Sequence, residues 1–232
     1  MPTRVKMLIA EIFEALQGEG PSKGLPSIFI RFWGCNLRCQ FNSHECDTPY
    51  AVYTEKEEAE ELSVDEVVDR IRSFKSENII FTGGEPMLFQ EEMIMISNEF
   101  PHYRKEVETN GTIPPLTALT ECIDSFNISP KLKSSNQETE LHENRRIDVD
   151  VLKAFPWGKS FLKFVINDTA EDVPEIQSLI EHLEHPVWLM PEGGTKDELI
   201  AHSPEVEKLC AEYNWNFTTR EHILMFDGER GK

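Results

Sequence analysis

The sequence predicts an α/β fold of parallel strands alternating with helices, and three observations carry that reading. Short apolar runs alternate with helical patterns along the chain, as repeated βα units require. Polar or glycine-rich clusters recur where the predicted strands stop. In a barrel-like fold the carboxyl ends of parallel strands converge on one face, so these distant clusters are expected to meet around a single pocket. Finally, 232 residues without a repeat or an internal linker suit one domain with one full core, expected over residues 1–232.

The elements follow in order. Residues 27–33 (SIFIRFW) read as a buried strand leading into a cysteine loop. From Ser63, the positions Val64, Val67, Val68, Ile71 and Phe74 keep helical spacing, and Ser63 with Glu66 forms a capping box. Residues 78–82 form the next strand, ending in Gly83-Gly84-Glu85-Pro86. Further strands are expected at 103–108, 123–128, 161–166 and 187–190, and helices at Gln90–Glu99, 170–183 and Lys196–Tyr213. The acidic run 55–61 (EKEEAEE) reads as a solvated turn, and 133–146, polar and aperiodic, as a long loop.

Composition excludes several roles. A formal net charge of −19 repels phosphate backbones, so a nucleic-acid-binding module is not expected. No apolar run approaches the ~20 residues of a membrane span. The opening MPTRVKMLIAEIF lacks a secretory apolar core, and five cysteines are an odd count; both point to a reducing cytoplasm. Cys122 and Cys210 sit in apolar surroundings typical of small core residues.

The chemistry concentrates in GCNLRCQFNSHEC, with Cys35, Cys39 and Cys46 followed by Asp47 and Thr48. Three clustered thiols can hold an iron–sulfur cluster while leaving one iron open to a ligand. On the cysteines alone, a structural zinc site completed by His44 stands beside that reading, as does a plain loop of reduced thiols. In TGGEP the paired glycines let the backbone approach a ligand, and Glu85 can anchor an amino group. Arg31 lies inside an otherwise apolar strand, where a guanidinium can grip a carboxylate with two parallel hydrogen bonds.

Taken together, LQGEG at 16–20, IFIRFWGCNLRC, CDT at 46–48, TGGEP at 82–86, ETNGT at 108–112, SPK at 129–131 and the tail Thr219-Arg220-Glu221-His222 with Gly228 and Arg230-Gly231-Lys232 resemble the 7-carboxy-7-deazaguanine synthases. These are radical S-adenosylmethionine (radical SAM) enzymes of 7-deazapurine biosynthesis. LQGEG and CDT separate them from other radical enzymes, including glycyl-radical-enzyme activases, which share the cluster but should lack LQGEG and the substrate arginine. A non-catalytic zinc-binding protein is the rival from another class. Two features depart from the family: six residues separate Cys39 from Cys46 where two are usual, and Met190 stands where a glutamine is expected.

The resemblance implies a partial (β/α)6 TIM-like barrel, the radical SAM core, with its cluster loop at 34–48. It assigns a [4Fe–4S] cluster to Cys35, Cys39 and Cys46, and S-adenosylmethionine to Gly84, Glu85, Glu108, Ser129, Pro130 and Lys131. Substrate positions are Leu16, Gln17, Gly18, Glu19, Arg31, Thr82 and, through the terminal carboxylate, Lys232. Thr48 matches a magnesium ligand, where a hydroxyl joined by substrate oxygens suits a hard cation. The implied reaction starts from a 5'-deoxyadenosyl radical that takes hydrogen from 6-carboxy-5,6,7,8-tetrahydropterin; ring contraction with loss of ammonia gives 7-carboxy-7-deazaguanine. No side chain is required as a nucleophile. A flavodoxin- or ferredoxin-type reductant and a homodimer are implied as partners.

Overall fold

A computed structural model describes residues 6–41, 46–53, 59–135 and 143–226. Its strands are β1 Lys6–Leu16, β2 Pro26–Phe32, β3 Glu60–Ser63, β4 Asn78–Gly83, β5 Arg104–Thr109, β6 Ser125–Ile128, β7 Ser160–Ile166, β8 Val187–Pro191 and β9 Asn216–Phe217. The α-helices are α1 Val64–Ile71, α2 Gln90–Glu99, α3 Thr117–Cys122, α4 Val149–Lys153, α5 Thr169–Ile180, α6 Lys196–Tyr213 and α7 Glu221–Phe226. All strands join one sheet in the order β3-β1-β2-β4-β5-β6-β7-β8-β9. From β2 to β9 every neighbour is parallel, whereas β1 runs antiparallel to both β2 and β3. Among the described residues no pairing joins β3 to β9, so the barrel is partial, as expected.

Strand alternation divides this sheet into two unlike faces. One face carries Ile28, Ile30, Phe32, Ile79, Phe81, Val107, Phe126, Ile128, Leu162, Phe164 and Leu189, all buried in a single core with Val67, Val68 and Ile71 of α1, Met93 and Ile96 of α2, Ile176 and Leu179 of α5 and Val206 of α6. The intervening residues make the inner face, which is mostly polar, with Phe29, Ile80, Phe161 and Met190 buried among its charged and amide groups. Asn78 donates to Ser27 Oγ (2.6 Å), and Arg104 donates to Asn78 Oδ1 (3.1 Å) and Glu106 Oε2 (3.0 Å).

The predicted strands and helices are all present, with ends moved by no more than three residues. The capping box forms: the Ser63 backbone N–H donates to Glu66 Oε2 (2.8 Å) and Glu66 N–H to Ser63 Oγ (3.4 Å). Three strands are additions, one of them the two-residue β9 that pairs with β8 at the far edge. Strand β1 escapes sequence reading because a bulge between Ile9 and Glu11 breaks its alternation. Strand β3 corrects the end of the run 55–61 read as a turn, of which 55–58 lie outside the described residues: Glu60 and Glu61 pair with Ile9 and Leu8 at the sheet edge. There their charges, met by Arg70 and Lys6, discourage edge-to-edge association. In the expected loop at 133–146, residues 133–135 form a 3-10 turn, and 136–142 lie outside the described residues.

Ser63 is only 2% exposed, so Ser63→Ala both uncaps α1 and strands its partners. The expected loss is about 1 kcal/mol of unfolding free energy, read from denaturant titration, with the inner-face site left intact.

Candidate active site

Strand β2 delivers the cysteine loop to the carboxyl edge of the sheet, and the next βα turn braces it. Gly84 N–H donates to Phe32 O (3.1 Å) and Glu85 N–H to Gly34 O (2.9 Å). A Cβ on Gly84 would stand 2.1 Å from Gly34 O, so only glycine permits this approach. Beyond it, Leu37, Cys39 and Phe41 are buried together, packed by Cys35 and by Val165 of β7. Tyr53 donates its hydroxyl to Cys39 O (2.8 Å), and Gln40 N–H donates to Ser135 O (2.9 Å).

The three thiols lie within one another's fields. Burial pushes Cys35 up to about 11, with Glu85 and Cys46 adding to the rise. Burial likewise pushes Cys39 up to about 12, helped by Cys46 and Cys35 and opposed by Lys131. Cys46 is also raised, by burial first and then by Asp47. Lys131, from Ser129-Pro130-Lys131 after β6, is the cation whose field reaches all three. Its Nζ is held by Ser129 O and Ser129 Oγ, both at 3.0 Å, and Pro130 is buried beneath.

Among the described residues, no three His, Cys, Asp or Glu side chains gather closely enough for a single metal ion. A four-iron cube takes one cysteine per corner, so its ligands stand further apart than those of one ion. His44, on which the zinc alternative relies, lies outside the described residues. Thr48 sits with Oγ1 3.6 Å from Cys46 Sγ. Its side chain makes no cap bond to the 3-10 turn Pro49–Ala51 that follows.

Glu85 is fully buried. Its carboxylate accepts from Met87 N–H (2.9 Å), Thr109 Oγ1 (2.7 Å) and Asn110 N–H (2.7 Å). It therefore locks TGGEP to ETNGT, while the partly exposed backbone of Gly83 and Gly84 faces outward.

Of the residues expected to contact substrate, Gln17, Arg31 and Thr82 meet on the inner face, together with Glu108. Glu108 of β5 accepts from Gln17 Nε2 (2.9 Å) and Thr82 Oγ1 (2.8 Å). Gln17 belongs to LQGEG, which leaves β1 and folds back across the strands; Ser22 on the same turn donates to Glu106 Oε2 (2.7 Å). Arg31 donates its Nε to Glu11 Oε1 (2.8 Å), which also accepts from Tyr50 Oη (2.7 Å). The guanidinium lies 5.8 Å from the Tyr50 ring centroid. Burial opposes its charge, but Tyr50, Glu11 and Glu108 outweigh that and raise its pKa. Leu16, by contrast, ends β1 at 48% exposed, and Lys232 lies outside the described residues.

Sequence reasoning passed over Lys163, Glu106 and Arg220 as site residues. Lys163 pairs with Glu19 Oε2. Arg220 Nε stands 3.7 Å from Glu19 Oε1, its NH2 stands 3.2 Å from Asp47 Oδ2, and its NH1 donates to Gly193 O (2.9 Å). Burial works against the Glu19 carboxylate, yet Lys163, Arg220 and His222 hold it below the usual carboxylate range. Asp47 is held low in the same way, by Arg220 and then Lys131. Gly18 touches the same tail: a Cβ there would stand 2.5 Å from His222 Nδ1. The signal for Lys163 was present, a charge inside the apolar strand SFLKFVI, the pattern that marked Arg31; Glu106, in the charged strand RKEVET, carried no such mark.

Lys163→Met leaves Glu19 buried with only the longer Arg220 contact. Removing one partner of a buried pair costs several kcal/mol, and with Arg220 remaining we expect about 3 kcal/mol at neutral pH. Glu19 then prefers its proton, so the deficit shrinks as pH falls through the usual carboxylate range. Denaturant titrations of both proteins from pH 4 to 8 check this; a deficit independent of pH would show that Glu19 does not depend on Lys163.

The family model of the radical SAM superfamily matches residues 30–154. The 7-carboxy-7-deazaguanine synthase of Halobacterium salinarum is 36% identical over 94% of this chain and 90% of its own length, and that of Rhodopirellula baltica 31% identical over 97% and 88%. The crystal structure of QueE from Escherichia coli superposes with a TM-score of 0.69 at 20% identity, covering 92% of this chain and 93% of that one. The chain therefore belongs to the radical SAM superfamily and, within it, to the 7-carboxy-7-deazaguanine synthase family.

Proposed function

We propose that this chain converts 6-carboxy-5,6,7,8-tetrahydropterin to 7-carboxy-7-deazaguanine, the whole chain acting as one catalytic unit. The observation that carries the reading is the joining of two sites on one sheet face: the cysteine loop at the strand ends, and beside it Arg31, Thr82, Glu108 and Gln17. The family implies a [4Fe–4S] cluster and S-adenosylmethionine, and the donor set suits both. Cys35, Cys39 and Cys46 are buried thiols whose protonation is favoured by burial and by one another. Metal binding draws those protons off and holds the sulfurs as thiolates. Gly84, Ser129, Pro130 and Lys131 form the rim on which S-adenosylmethionine would lie, with Glu85 fixing the rim from beneath and Glu108 beside it. When bound, the cluster and cofactor supply a 5'-deoxyadenosyl radical for hydrogen abstraction.

The chain's own residues bind and orient the substrate. The ends of the Arg31 fork, which make no hydrogen bond among the described residues, suit the pterin carboxylate. Glu108, Gln17 and Thr82 form a linked acceptor–donor set suited to a heterocycle edge. Gly18 and Glu19 hold the LQGEG turn over them, and closure of this turn keeps water from the reacting carbon. Thr48 is proposed to bind magnesium together with substrate oxygens, and the Lys232 carboxylate to reach the substrate. A flavodoxin- or ferredoxin-type electron donor, a homodimer and work in the cytoplasm complete the reading. Five free cysteines fit a reducing compartment.

The test is turnover of the anaerobically reconstituted chain together with Arg31→Ala. The wild-type chain should bind iron and sulfide and form the deazaguanine product; zinc alone, without turnover, would overturn the assignment. Arg31→Ala should keep the cluster and still cleave S-adenosylmethionine slowly, while carboxypterin binding weakens by about 2 kcal/mol. Equal pterin affinity in calorimetry would remove Arg31 from the site.

Thr48→Val takes away one hydroxyl and nearly preserves shape. A single hydroxyl is a weak ligand, so the loss should appear in the magnesium dependence of turnover and not in the melting temperature. An unaltered magnesium response would end the metal role.

A further inference from the structure

Behind Cys35 lies a ring of three polar side chains that neither the fold nor the proposed substrate contacts require. Thr112 donates its hydroxyl to Asn110 Oδ1 (2.6 Å), Asn110 Nδ2 donates to Asn36 Oδ1 (2.9 Å), and Asn36 Nδ2 donates to Thr112 Oγ1 (2.7 Å). Thr112 N–H adds a second bond to Asn110 Oδ1 (3.0 Å). Every donor meets an acceptor only in this sense, so the ring fixes which end of the Asn110 amide is nitrogen. The Asn110 backbone is anchored as well, through its N–H to Glu85, and the residue is 6% exposed. With its oxygen saturated and one N–H spent on Asn36, the second N–H points at Cys35 Sγ, 3.9 Å away. Leu37 N–H, at 3.4 Å, is the other donor to that sulfur.

We propose that Asn110 is a positioning residue that donates a hydrogen bond to the Cys35 thiolate and thereby raises the reduction potential of the cluster. The inference rests on the cluster and on Cys35 as one of its ligands. An electron entering an iron–sulfur cluster adds negative charge to its sulfurs, and an N–H dipole aimed at one of them favours the reduced state more than the oxidised one. The ring supplies the rigidity this needs: Asn36 is the residue after Cys35, so sulfur and donor are held by one hydrogen-bonded unit. Glu85, which anchors Asn110 from the other side, also raises the Cys35 pKa through its charge. The neutral donor stands between the thiolate and a carboxylate that disfavours extra negative charge.

The experiment is a redox titration of the reconstituted full chain followed by electron paramagnetic resonance, with Asn110→Ala, Asn110→Asp and Thr112→Ser. Asn110→Ala should shift the midpoint to more negative potential at unchanged iron content. Asn110→Asp keeps shape but replaces both N–H groups by an acceptor, and should shift it further. Thr112→Ser keeps the ring and should leave the midpoint unchanged. A purely structural Asn110 would lower the melting temperature without moving the potential, and that result overturns the inference while leaving the cluster reading intact. A wild-type chain that binds no iron and sulfide overturns both. Should both Asn110 variants lose the cluster, wild-type protein labelled with 15N in asparagine decides the matter. A 15N coupling to the reduced cluster supports the donor, and its absence overturns it.

Discussion

A parallel sheet that carries ionised groups on one face has to find partners for every one of them, because burying an unpaired charge costs far more than a fold's net stability leaves room for. Glu106, fully buried on β5, is the extreme case. Burial raises its pKa first, with Glu108 adding to the rise, while Ser22 and Arg104 stabilise its charge. One of those partners lies on the same strand, but Ser22 comes from the turn after β1. The antiparallel course of β1 is what brings that turn across the face, and the same crossing carries Gln17 to Glu108 and Glu19 to Lys163. Neutralising the inner face and assembling the candidate site are thus one requirement met by one loop.

Charge distribution sharpens the point. The chain has 23 basic residues against 42 acidic ones, yet Arg31, Lys131, Lys163 and Arg220 all lie around this one face. Each is set against carboxylates of the same face, among them Glu11, Glu19, Glu108 and Asp47, so the face is close to neutral where the surface is acidic. Within a low-dielectric cleft such local groups outweigh distant surface charge, which salt screens beyond roughly 10 Å.

Much of this was legible in the sequence. Helices α2 and α6 were bounded to the residue, because apolar spacing and flanking signals agreed, and the strand-end clusters did converge. Strand β1 was not legible, since its bulge mixes the two faces within one run. Strand β3 was hidden by its glutamates, which an edge tolerates and an interior strand would not. At the candidate site, LQGEG, Arg31 and the cysteine loop are singled out in the sequence by type and pattern, and the structure brings them to one side of the sheet. The inward turn of Glu85 is not so marked: a carboxylate beside two glycines reads equally well as ligand or scaffold, and only the donors from Met87, Thr109 and Asn110 decide. Asp47 and Arg220 show the same limit, being far apart in sequence with no local signal for their pairing.

The contact of Gly20 N–H with Thr218 Oγ1 joins residues 198 positions apart. Made from the amino terminus onward, the chain has its cysteine loop in hand long before the segment that grips Asp47 and Glu19 exists. The site is complete only once the last strand of the sheet is in place, since the segment after β9 supplies the cation that Asp47 and Glu19 share.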